Sequence, residues 1–97
     1  MGEGGITARD LSAAVRAGRA IRRVLVVERA DGYLCAFVRL AGEAVWRRIM
    51  RGYRAGPRQW VDYRRLSDAL RNRFFYGGVR WVYLHDDPRL PRMGIVL

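Results

Sequence analysis

The chain has 97 residues, a length that supports one hydrophobic core and excludes a second domain. Hydrophobic residues make up 51% and aromatics 11%, enough apolar surface to offset the entropy of ordering, so the chain is expected to fold. The 19 basic side chains, all arginine, face 9 carboxylates, and the resulting net charge of +10 points to an anionic partner.

Cys35 is the single cysteine, so no intramolecular disulfide is possible and a reducing cytoplasm is the default compartment. The opening Met-Gly-Glu-Gly-Gly lacks the basic and apolar regions of a cleaved signal. The longest apolar stretch, Tyr33 to Val38, is far short of the roughly 20 residues that cross a bilayer. Neither export nor membrane insertion is expected.

Residues 1–6 read as a flexible lead and 7–97 as one domain. Thr7 followed by Asp10 forms a capping box for a helix from Ala8 to Ala17, with Leu11, Ala14 and Val15 on one face and Gly18 as its terminator. Ile21 to Glu28 and Tyr33 to Leu40 are strands apolar on both faces, as interior strands are, joined by an Asp31-Gly32 type I′ turn. From Ala41 to Gly56 the period becomes helical, gathering Val45, Trp46, Ile49, Met50 and Tyr53 on one side and Arg47, Arg48, Arg51 and Arg54 on the other. Asp62 caps a third helix to Arg73, with Tyr63, Leu66, Leu70 and Phe74 as its apolar stripe. Arg58 to Val61 is compatible with either that helix or an extended lead. Val79 to Leu84 is a strand, His85 to Arg92 a proline-containing loop, and Met93 to Leu97 a terminal strand. The order α-β-β-α-α-β-β predicts an α+β domain, its helices covering one face of a mainly antiparallel sheet. Helices on one face leave the doubly apolar strands short of cover, and a homodimer pairing through the free strand Met93 to Leu97 would supply it.

Arg47, Arg48, Arg51, Arg54, Arg58, Arg64, Arg65, Arg71 and Arg73 lie in a stretch containing only the carboxylates Asp62 and Asp68. Guanidinium forks match phosphate oxygens bidentately, so this set is the candidate nucleic-acid surface, on DNA or RNA. Among the nearby aromatics, Tyr53, Tyr63, Phe74 and Trp81 are absorbed by core stripes, leaving Trp60, Phe75 and Tyr76 as candidate stacking platforms. Two helices followed by a hairpin is also the order of a winged helix-turn-helix, but the segment Arg54 to Val61 is longer than the usual turn. The competing reading docks the same basic face on an acidic protein surface, with Trp60 and Tyr76 as anchors.

His85-Asp86-Asp87 is the one cluster with acid-base or metal character, and with no second histidine it reads as an ordinary turn. A small ribonuclease-type toxin using His85, Arg80 and Tyr83 is the enzyme alternative. No nucleotide-binding glycine fingerprint is present, so no cofactor is expected, and Cys35, between Tyr33 and Phe37, reads as a buried structural thiol. These residues predict a non-enzymatic nucleic-acid-binding accessory protein.

Overall fold

β-Branched residues restrict χ1 and suit a pleated surface, and the run richest in them, Ile21 to Glu28, lies with the apolar run Leu34 to Leu40 inside a five-stranded sheet. The computed structural model describes residues 5–52 and 56–97. In chain order the elements are β1 (Gly5–Thr7), α1 (Ala8–Arg16), β2 (Ile21–Glu28), β3 (Leu34–Leu40), β4 (Arg47–Met50), α2 (Tyr63–Asn72), β5 (Arg80–Leu84) and α3 (Arg89–Arg92). The strands lie in the order β1-β4-β3-β2-β5. β3 pairs antiparallel with both β2 and β4, whereas the outer strands β1 and β5 pair parallel with β4 and β2. The domain is α+β.

Both long helices start where their caps direct. Thr7 Oγ1 accepts from the Asp10 backbone N–H at 3.0 Å, and Asp62 Oδ1 accepts from that of Arg65 at 2.8 Å, each satisfying a donor that has no partner within its helix. Gly18, at φ +100°, follows the C-cap of α1 in the left-handed conformation a side chain resists. α2 instead ends on Phe75 at φ +53°, the one described non-glycine residue with positive φ.

Side chains alternate across β2 and β3, and each set has its own cover. Val24, Val26, Ala36 and Val38 pack with Leu11 of α1 and with Leu66, Leu70 and Phe74 of α2. Leu25, Val27, Cys35 and Phe37 point the other way, against Trp46, Leu90, Ile95, Trp81 and Tyr83. The second face is therefore closed by α3 and the residues after it, and the missing cover that argued for a dimer comes from within the chain. Met93 to Leu97 is not a strand; Ile95 is buried in that second cluster.

The largest correction concerns Ala41 to Gly56, where no helix forms among the described residues. Arg47–Met50 is β4, which bonds to β3 on one side and β1 on the other, and Trp46 and Ile49 are buried on opposite faces of the sheet. Backbone groups of β3 need partners along that edge, and this tertiary demand outweighs a helical spacing of five residues, one of which, Tyr53, lies outside the described residues. Without that helix the winged helix-turn-helix order disappears. Gly5 and Ile6, read as part of a flexible lead, form β1. The loop His85 to Arg92 contains α3. Arg58 to Val61 is extended, with Trp60 bridging Leu34. The hairpin turn is not type I′, because Gly32 alone has positive φ; Arg29 closes on Tyr33, and Gly32 N–H donates back to Arg29. No helix among the described residues is long and apolar enough to cross a membrane.

Candidate nucleic-acid interface

The loss of the second helix disperses the arginines assigned to it. Arg47 is held by Glu43, whose Oε1 accepts from Arg47 Nε at 2.7 Å and whose Oε2 accepts from Nη2 at 3.2 Å. The pairing lowers the Glu43 pKa and raises that of Arg47, chiefly through these hydrogen bonds. Arg48 turns onto the second face of the sheet over the Phe37 ring, with Nε and Nη2 buried. Arg51 is exposed beyond β4, and Arg54 lies outside the described residues. Arg58 is exposed with its guanidinium 5.3 Å from the Trp60 ring centre.

Trp60 itself is 4% exposed and packs in the core beneath α1 and α2, so it offers no face for stacking. Tyr76 is likewise buried, its hydroxyl donating to the Val79 carbonyl. Phe75 remains exposed. The grouping that survives is on α2, where Arg64, Arg65 and Arg71 are all exposed, with Arg73 exposed at its C-cap. Asp68 sits one turn from both Arg64 and Arg71, so this face carries mixed signs.

A second basic cluster forms on the strands. In the β2–β3 register Arg23 stands directly across from Arg39, and the register shift between Ile21 and Arg23 leaves Arg22 beside them as the extra residue of a bulge. Like charges facing each other on a sheet repel. Each is placed over an indole: Arg23 lies 4.7 Å from the Trp81 ring centre and Arg39 6.0 Å from that of Trp46. The two indoles are neighbours, with ring centres 6.3 Å apart and planes tilted by 50°.

Among the described residues no carboxylate lies within ion-pair distance of Arg22, Arg23 or Arg39. Glu43 borders the same hollow, but its oxygens are engaged by Arg47 and Arg19. Trp81 separates two hollows of about 600 and 420 Å³, and Arg22 and Arg23 line both. The arrangement presents three guanidinium groups around a half-buried indole, a combination that receives phosphate oxygens and planar bases together.

The apolar runs Ile21 to Glu28 and Tyr33 to Leu40 mark the strands without showing which residues face each other. Counting outward from the Arg29–Tyr33 closing pair brings Arg23 opposite Arg39. The turn, more than the strands, is the signal that locates this cluster.

The residues of the ribonuclease alternative are not brought together. Arg80 Nη1 donates to Ser67 Oγ at 2.8 Å on the α2 side of β5, whereas Tyr83 packs on the opposite face beneath Arg89. His85 is exposed in the following turn, and Asp87 is engaged by Arg89 through both carboxylate oxygens. No group of His, Cys, Asp and Glu able to hold a metal ion occurs among the described residues. Cys35 is buried beside the Val27 carbonyl, and desolvation raises its pKa. Comparison with protein-family models, with curated proteins and with solved structures finds no match to this chain.

Proposed function

We propose that this protein is a non-enzymatic nucleic-acid-binding accessory protein of the cytoplasm that grips phosphates through Arg22, Arg23 and Arg39, with the exposed α2 arginines Arg64, Arg65 and Arg71 as an outlying contact. One observation carries the reading: Arg23 and Arg39 face each other across β2 and β3 without a carboxylate partner among the described residues, each over a tryptophan. Like charges are tolerated in such a place when an anion between them supplies the compensation that the protein withholds.

The deciding experiment is a salt titration of binding to a short DNA duplex and to single-stranded RNA. Each phosphate neutralised on a duplex contributes about −0.9 to the log–log slope, so binding should be strong at about 50 mM salt and fall steeply as salt rises. Failure to bind either polymer at that salt removes the reading. A profile in which one or two arginines carry nearly all the affinity would instead favour docking on an acidic protein. Self-association now rests on a different edge, since β5 is an outer strand and its Val82 and Leu84 are 53% and 57% exposed. Sedimentation equilibrium that finds only monomer would remove it.

A further inference from the structure

On the second face of the sheet, beside the C-terminal residues, lies a cavity of about 640 Å³ whose side chains are apolar apart from Arg47 and Arg48. Arg47 is committed to Glu43. Arg48 is not: its Nε and Nη2 are buried and have no hydrogen-bond partner among the described residues, and its guanidinium rests 5.7 Å from the Phe37 ring centre. Donors of a half-buried guanidinium that are closed to water without an acceptor are costly, and an aromatic face compensates them only in part.

We propose that this cavity binds a small amphipathic carboxylate of the medium-chain fatty-acid class, its carboxylate received by Arg48 and its hydrocarbon chain lying against Trp46, Met50 and Met93. The volume falls within the range of about 300–1,000 Å³ typical of small-molecule sites, which are mostly apolar with a few placed polar groups. One guanidinium without a carboxylate partner matches one carboxylate in charge. A phosphate ester would bring a second charge and further oxygens that the apolar lining cannot satisfy. The unbranched thioethers of Met50 and Met93 adapt to a flexible chain more readily than branched side chains do. The inference does not depend on nucleic-acid binding.

The test is calorimetric titration of the full chain with decanoate below its micellar concentration, with decanol and butyrate as probes lacking the charge or the chain. Decanoate is expected to saturate one site, with both controls weaker by about tenfold or more, since each lacks one half of the interaction. Arg48→Met should weaken decanoate by about tenfold or more and leave decanol unchanged. The same variant removes two buried donors that lack an acceptor, so its melting temperature should equal or exceed that of the parent. Arg16→Gln, exposed in the last turn of α1 on the other side of the sheet, should leave decanoate binding as it was. Absence of saturable decanoate binding at millimolar concentration, equal affinity for decanoate in Arg48→Met, or a marked loss of stability in that variant would each overturn the proposal.

Discussion

Replacing Arg23 and Arg39 together by glutamine tests the strand cluster directly. Each guanidinium that neutralises a phosphate contributes about 0.9 to the log–log salt slope on duplex DNA, which at about 0.1 M salt corresponds to roughly eightfold in affinity, or ~1.2 kcal/mol. The double variant should therefore bind about 60-fold more weakly and lose about 1.8 from the slope, or about 1.4 on a single strand. Stability should fall modestly. Relief of the facing like charges is worth on the order of 0.2–1 kcal/mol, while removing each guanidinium from its indole costs about 0.5–1 kcal/mol, leaving a net cost of about 1 kcal/mol. Fluorescence anisotropy with a labelled oligonucleotide between about 50 and 200 mM salt gives the slope, and thermal melting checks the fold. Arg64→Gln/Arg65→Gln/Arg71→Gln is the comparison. An unaltered slope in the strand variant, with a large drop in the helix variant, would refute the strand cluster as the phosphate contact.

Three further outcomes follow from local geometry. Asp62→Ala should destabilise the domain by about 1 kcal/mol in urea unfolding, because the Arg65 N–H at the start of α2 loses its side-chain acceptor. Phe75→Gly should raise stability by about 1 kcal/mol, since φ +53° strains an L-residue and its exposed ring has little packing to lose; a destabilised variant would show that the ring matters to the fold. Asp87, held by the Arg89 side chain and backbone, has its pKa lowered from 3.8 to about 2. The stability from this pairing is therefore fully present above the unfolded value and lost as pH falls through about 2, and carboxyl NMR should place the Asp87 midpoint there.

What is legible in the sequence is local. Thr7 and Asp62 announce α1 and α2 because a cap acts within one turn, while β2 and β3 announce themselves through apolar runs bounded by a turn, β2 also through its β-branched residues. β4 is illegible because it has four residues, too few for a period of two to be told from a period of 3.6. Its identity depends on pairing with β3 and with β1, the latter remote in the chain. The hairpin turn shows how a small local error travels. A two-residue Asp31-Gly32 turn sets Arg39 across from Val24, whereas the three-residue turn that forms sets it across from Arg23. A slip of one residue exchanges the faces, and with it the basic cluster vanishes from view.

The arginine content has a structural side that charge counting hides. The first face of the sheet is covered by two amphipathic helices, but the second has only the four-residue α3 and the short tail after it. There the indole and phenol rings take over as cover, with arginines lying on them, Arg23 on Trp81, Arg39 on Trp46 and Arg89 on Tyr83 at 4.3 Å, while Arg48 lies on Phe37 of the sheet itself. A planar, weakly hydrated guanidinium lies flat on a ring and leaves its edge donors able to bond, as Arg89 does to Asp87 and Arg39 to the Glu43 backbone carbonyl, which a compact and strongly hydrated ammonium does not do as well. One side chain can thus shield an aromatic from water and present hydrogen-bond donors outward. On this face shielding and anion binding share the same atoms, so a ligand that engages Arg23 and Arg39 also braces the cover over Leu25 and Phe37 beneath them. Binding at the cluster should accordingly stabilise the fold by mass action, most strongly at low salt, where phosphate contacts are strongest.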